Sequence, residues 1–469
     1  MTAIVWLRRA LREYDNTALV RATQDHDEVV ILYVVDTTYF SETELGSPRV
    51  SFWHDAVSSL KSQLEEQGKQ LTIRQGDPVT VVPEVARAID ADAVYVNHDY
   101  TPYAQQRDEA VAGALDCPFN SFQDIVLHEK DEILTNKETP YQIFTYYHKK
   151  WRKREKSRPV EPAEYETVPA DPEPLPDLDT LGFENHTYWD GSREAGRERL
   201  MAFMDAIENY DEGRDYPARE ETATISPHLK FGTLSPREVY WESERMRGRL
   251  DDETGIDTWQ QQLAWRDFYM QLLWHYPRMT DEPFQEQYSS IEWHWDEQHK
   301  EHWKAFCAGQ TGYPFVDAGM RQLKETGWMH NRLRMVVTSF AAKDLHIDWR
   351  RLHTHFKRHF VDAEVALMIG GIQWAYSNGT DAQPYFRVFN PWTQGERYDP
   401  DGTFIREWVP ELQAVPDEHI HTPHEMPKTV QQQVGCVIGK DYPAPIVEHS
   451  EEREIAIELF ENARDDGDD

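Results

Sequence analysis

An α/β domain followed by an all-α domain is the fold class this sequence predicts, and three observations predict it. Short apolar runs rich in Val and Ile alternate with helical patterns as far as about residue 130. From residue 192 onward only helical periodicity recurs. Between them Pro159 to Pro176, PVEPAEYETVPADPEPLP, is too rich in Pro and Glu to hold a core. The expected layout is a doubly wound, parallel five-stranded sheet over residues 1–130, a long linker over 131–191 and a helical domain over 192–469. A chain of 469 residues is too long for one core, which agrees with two domains.

In chain order, Ala3–Leu7, Val29–Val35, Leu71–Arg74, Ala93–Val96 and Phe119–Leu127 read as strands, with helices near 49–67, 80–89 and 103–115 between them. Ligands of such sheets sit at the carboxyl ends of the strands, where Arg8, Arg9, Asp36, Asn97, His98 and Asp99 would gather. No GxGxxG follows the first strand, so a dinucleotide site of the Rossmann type is not indicated. His148 to Arg158, HKKWRKREKSR, is the main basic island, a surface that would steer DNA or simply face solvent. Helical patterns then cover Arg197–Tyr210, Pro236–Arg247, Thr258–His275, His299–Ala308, Val316–Lys324, Met329–Lys343, Asp348–Phe360 and Ala363–Gln373. The acidic tail, Glu448 to Asp469, reads as a contact segment or as disorder.

Charge restricts the partners. With Lys+Arg 49 against Asp+Glu 84, the net charge of −35 repels nucleic acid in ordinary buffer. A normal aromatic content with pervasive acidity suits a halophile, in which concentrated salt screens that repulsion. Cys117, Cys307 and Cys436 are odd in number and far apart, so neither a disulfide framework nor a metal site is indicated. No segment has the length or apolarity of a signal peptide or a membrane span, and a cytoplasmic protein is expected.

The stretch Thr311 to Arg350 carries the most information. Val316, Met320 and Leu323 fall at helical spacing, Gly327 stops the helix, and a second helix places Leu333, Val336, Val337 and Phe340 on its inner face. Its other face holds Asn331, Arg334, Met335 and Thr338, a polar surface that suits a ligand or solvent alike. Thr311-Gly312-Tyr313-Pro314, Asp317-Ala318, the run from Trp328 to Met335 and Lys343 to Trp349 together resemble the flavin domain of the DNA photolyase and cryptochrome family. The resemblance extends to class I cyclobutane pyrimidine dimer photolyases of haloarchaeal type, and implies an N-terminal antenna domain, a helical FAD domain and a monomer acting on ultraviolet-damaged DNA.

Residue by residue, the resemblance implies FAD contacts from Tyr210, from Thr222, Ala223, Thr224, Ile225 and Ser226 at the phosphates, and from Trp259 and Arg266 in WQQQLAWRDFY. It adds Asn331, Arg334, Asp362, Ala363, Glu364 and Met368, with Arg334 paired to Asp362. Arg214, Gln262, Trp265, Arg332, Met335, Trp374 and Gln394 would form the lesion and DNA surface, and Gln262, Asn331, Trp349 and Trp374 would serve the chemistry. Trp349 matches the middle Trp of an electron-transfer chain whose outer member lies near Trp293 or Trp295. His330 is expected to be structural.

Departures from the family pattern bear on activity. Gln262 stands where dimer photolyases carry Glu; its amide can hydrogen-bond a base edge but neither donates a proton nor carries charge. Asn331 and Met335 stand where (6-4) photolyases carry two His, which favours a cyclobutane substrate. Met368 replaces the polar residue facing flavin N5, and Ile372 replaces the flavin-proximal Trp of the chain. Ala10 replaces an Asp of the opening motif, and no Glu marks a folate antenna near Tyr103–Asp108, leaving a deazaflavin antenna or none. The expected function is light-driven, FAD-dependent dimer repair; the alternative is a cryptochrome-like photoreceptor or redox flavoprotein with little repair.

Overall fold

A computed structural model describes residues 2–40 and 45–465. By packing, the chain divides into two units. One comprises 1–211, 223–277 and 361–367; the other comprises 212–222, 278–360 and 368–469.

The first unit is built on a parallel sheet of β1 (Thr2–Leu7), β2 (Glu28–Asp36), β3 (Leu71–Gly76), β4 (Ala93–Asn97) and β5 (Phe119–Phe122), in the order β3-β2-β1-β4-β5. Continuous apolar strands, TAIVWL and EVVILYVVD, are what a sheet covered on both faces requires, and β2 is buried from its second residue on. Polar caps start the helices: Asn16 accepts from Leu19 N at the head of Thr17–Asp25, Asp77 from Val79 N, and Thr101 from Ala104 N.

Two expectations need correction. The fifth strand ends at Phe122 instead of Leu127, because Asp124 turns inward to arginines and the Leu127 and His128 amides bond to the Asp267 carboxylate at 3.1 Å. Residues 131–191 are not a bare linker. They hold the helix Phe144–Lys153 and a short strand, β6 (Glu166–Thr167), which pairs with β2, and they bury Phe144, Tyr147, Trp151 and Tyr165.

Beneath the loop after β1 lies a closed ionic cluster. Arg12 pairs with Asp124 at 2.7 Å, and Arg237 reaches Asp15 at 2.9 Å and Asp124 at 3.0 Å. Arg12 also donates to the carbonyls of Gly232 and Asp15 at 2.8 and 2.7 Å. Burial pushes the Asp124 carboxyl up, but Arg12 and Arg237 outweigh it and hold the group below the usual carboxylate range. Ala10, in the loop above, is buried with φ 57, a left-handed conformation forced where Gly232 packs against its backbone.

The second unit is helical. Pro314–Thr326 and Asn331–Lys343 pack against each other, with Leu333 seated against Gly319. Asp317 clasps the turn before them: its carboxylate accepts from the Thr311 amide and hydroxyl at 2.7 Å, the Gly312 amide at 3.1 Å and the Tyr442 hydroxyl at 2.5 Å. Gly312 needs φ 81 there, and any Cβ would strike Ala444 at 2.4 Å. The acidic tail is neither loose nor solvated throughout: His449–Asp465 is a helix, burying Ala456, Phe460 and Ala463, and only 466–469 lie outside the described residues.

Candidate functional site

In the first unit the predicted residues cluster on the helix Thr254–His275 and the segment before Ser226–Phe231. Trp259 is buried edge-on to Tyr210, ring centroids 5.5 Å apart, with Phe203 at 4.7 Å. Its indole Nε1 is buried without a partner, an orphaned donor. Thr224 takes φ 46 just before the helix and accepts from Arg199 at 3.1 Å. Ile225, the N-cap, brings no side chain to the first-turn amides, and Ala223 is buried beside it.

Two residues of the set are held by the chain itself. Arg266 is buried and donates to the carbonyls of Ile125 and Leu229. Glu364 is buried and pairs with Arg9, with Lys230 Nζ at 3.7 Å. Burial pushes the Glu364 carboxyl up, but Arg9, Lys230 and Arg266 more than offset it and lower its pKa. Asp362 and Ala363 are buried in the same segment.

Gln262 turns its amide back along the helix to the Thr258 carbonyl at 3.1 Å. One turn on, half-buried Trp265 stacks on Phe144 at 3.5 Å with the rings 7° apart, and on Tyr269 at 5.5 Å. Phe144 lies in the segment expected to be a linker, so sequence reasoning missed it.

In the second unit Arg332 is the centre. Its guanidinium pairs with Asp215 at 2.8 Å and lies over the Tyr398 ring at 4.1 Å, while its buried Nε has no partner. Tyr398 was also missed, although it stands four residues after Gln394 on the helix Pro391–Tyr398, a spacing that places both on one face. The Gln394 Oε1 is buried and unpartnered too.

His330 caps the helix by accepting from Arg332 N at 3.1 Å. Burial lowers its pKa to about 4, with Arg332, Arg334 and Arg214 adding to the fall against Asp215, so it is neutral near pH 7. Its placement is structural, as expected. Asn331 is exposed and its amide reaches the Met335 sulfur at 3.8 Å. Arg334 donates to Met329 O at 2.8 Å and lies over Phe360 at 4.0 Å. Thr222, Arg214, Met368 and Trp374 are half-buried, while Ile372 and Trp349 are almost wholly enclosed.

The basic island of 148–158 serves packing. Trp151 is buried and donates to Asp267 at 2.9 Å, Lys156 is buried over its ring, and Arg152 and Arg154 pair with Asp257 and Glu132.

Residues 3–172 match the family model described as DNA photolyase, and residues 259–462 match the FAD binding domain of DNA photolyase. A deoxyribodipyrimidine photo-lyase of Halobacterium salinarum is 42% identical, with 99% of each chain covered. The chain belongs to the DNA photolyase family. Among solved photolyase-family structures, a class III photolyase from Agrobacterium tumefaciens matches with TM-score 0.92 at 33% identity, covering 99% of this chain and 98% of that one. A Synechocystis cryptochrome matches with TM-score 0.90 at 27% identity, covering 98% and 99%. An archaeal photolyase from Sulfolobus tokodaii with two FAD molecules matches with TM-score 0.85 at 31% identity, covering 98% and 100%.

Proposed function

We propose that this chain is a deoxyribodipyrimidine photo-lyase that uses blue light and FAD to split cyclobutane pyrimidine dimers in DNA. The observation that carries this is the 42% identity to a photo-lyase of that name over 99% of both chains. FAD fits the residues present. The orphaned Trp259 Nε1 is a donor that a bound dinucleotide would satisfy, and the turn at Thr224, just before the helix Ser226–Phe231, adds a hydroxyl for its phosphates. In the first unit Tyr210, Ala223 to Ser226, Trp259 and Asp362 would hold it; in the second, Thr222, Asn331, Arg334 and Met368 are the residues that the family resemblance assigns to it. When bound, FAD supplies the electron that light promotes.

The chain's own residues bind and orient the lesion. Trp265 and Trp374 offer flat aromatic faces to the damaged bases. Gln262 and Gln394 offer amides to base edges. Arg214 and Arg332 would meet phosphates or the flipped nucleotide, and a damaged base costs least to extrude. With His330 neutral and Asn331 and Met335 unable to protonate a substrate, none of these three is a general acid, which agrees with a ring-splitting reaction that needs none.

The acidic surface works in concentrated salt, where the Debye length is only about 3 Å at 1 M. Of a deazaflavin antenna and none, the first is supported by the rings of Tyr39, Phe40, Trp53 and Tyr103, which cluster beside Asp36 at the carboxyl end of β2 and suit a planar heteroaromatic. When bound, it supplies added light absorption. Among the described residues no helix is long and apolar enough to cross a membrane.

A second reading, a photoreceptor with little repair, is favoured by Met368, Ile372 and Gln262. The two part on one experiment. The reduced protein, in molar salt, is illuminated with a thymine-dimer oligonucleotide, and recovery of thymine ultraviolet absorbance is followed. Recovery above a flavin-free control is expected; none at all would sink the repair assignment.

A further inference from the structure

The helix Trp349–His359, WRRLHTHFKRH, contains Arg350, Arg351, Lys357 and Arg358 and no acidic residue, in a chain where acids outnumber bases by 84 to 49. Trp349, Leu352 and Phe356 fill its buried stripe. Arg350, Arg351 and Arg358 stand exposed on the other side, with Lys357 half-buried among them. Positions 350 and 357, like 351 and 358, are two turns apart, about 10.5 Å along the axis. Exposed Lys304 is on the helix Glu297–Ala308, whose Trp303 ring meets His355 at 5.5 Å.

Partner accounting separates this helix from the 148–158 run, where Arg152 and Arg154 are taken by Asp257 and Glu132. On Trp349–His359 Arg350 pairs with Asp348 at 3.2 Å and also donates to Asp281 O at 2.8 Å. Arg351 lies over the Trp295 ring at 3.6 Å. Among the described residues neither Arg351 nor Arg358 makes an ion pair. An acidic protein gains nothing in solubility from a cationic stripe, and exposed guanidiniums without intramolecular carboxylates are free for an external anion.

We propose that the exposed face of Trp349–His359 is a second DNA contact, gripping the sugar-phosphate backbone through Arg351 and Arg358 with Lys304 beside them. Phosphates advance about 3.4 Å per nucleotide along the axis of one strand, so arginines two helical turns apart span about three phosphate steps. Guanidinium forks match phosphate oxygens in pairs, and contact at bonding distance survives salt that abolishes steering at longer range. The identity of the polyanion rests on the photo-lyase assignment; the existence of the surface does not.

The test is anisotropy of an undamaged, labelled duplex titrated in the dark with the full chain over a series of KCl concentrations in which the fold persists. Loss of two phosphate contacts in Arg351→Ala/Arg358→Ala is expected to flatten the slope of log affinity against log salt by about 1.8. Preference for dimer-containing over undamaged duplex should remain. The paired Arg152→Ala/Arg154→Ala variant should leave the slope unchanged, and circular dichroism of both variants verifies folding. An unchanged slope in a folded Arg351→Ala/Arg358→Ala protein overturns the proposal and points to an acidic protein partner instead. Repair with an unchanged slope overturns the proposal alone, whereas a flattened slope without repair supports it and defeats the assigned activity.

Discussion

Two polar clusters, one in each unit, look alike in composition and differ in completeness. Arg12, Asp15, Asp124 and Arg237 are all buried, and every guanidinium meets a carboxylate or a carbonyl. Around Arg332, by contrast, a buried Nε, the Gln394 Oε1 and the His330 Nε2 have no partner. The first arrangement fixes one geometry of the loop after β1 and has nothing left to bind. The second keeps donors and acceptors that a folded chain normally satisfies, each at a cost of about 1–3 kcal/mol. Unsatisfied polarity marks a site only when several such atoms converge. A buried polar atom can also be orphaned in plain packing: the Lys343 amine is buried and unpaired and faces the Phe460 ring at 3.3 Å.

The comparison breaks most visibly if the closed cluster is cut. Asp124→Ala leaves two buried arginines short of a carboxylate and should cost about 3–5 kcal/mol in denaturant unfolding in high salt. A loss below about 1 kcal/mol would mean that the cluster is not the brace it resembles.

Lys343 sharpens the contrast from the other side. Burial holds its pKa well below the ordinary lysine value, so between that lowered value and about pH 10.4 the unfolded chain binds a proton that the folded one does not. Stability therefore rises with pH toward that value. Lys343→Met should flatten this slope and stabilise the protein at neutral pH by about 1–3 kcal/mol. Equal slopes for the two proteins in thermal melts across pH would refute the assignment.

A smaller effect concerns the flavin side. Ile372 is enclosed and offers electrons no aromatic stepping stone. Ile372→Trp should quicken light-driven reduction of the oxidised protein several-fold, with an overpacking cost of about 1–3 kcal/mol. An unchanged rate in flash absorption would show that another donor already serves.

How far the sequence spoke depended on separation along the chain. Strands, helices and the 311–350 hairpin were legible because periods of two and 3.6 residues are local. The proposed flavin and lesion residues rest on ordered motifs. What stayed hidden was pairing at long range. Nothing in HKKWRKREKSR announces that Asp257 and Glu132 absorb its arginines, or that Trp151 donates to Asp267. The reading of 131–191 as a linker concealed Phe144, whose ring lies against Trp265 across more than a hundred residues of sequence. The stripe of Arg351 and Arg358 was visible as letters, but its freedom from ion pairs was not.

The clasp around Asp317 carries a consequence for biosynthesis. Thr311 receives the Ile446 amide at 3.0 Å, the Tyr313 hydroxyl reaches Val447 O, and Tyr442 reaches Asp317, across 125 residues in that last case. While the ribosome is still making residues before Tyr442, the turn at Gly312 lacks its final ties. The helix that bears Arg332 must then wait for a segment translated long after it, and nascent chains stalled before that point should emerge without a finished binding surface.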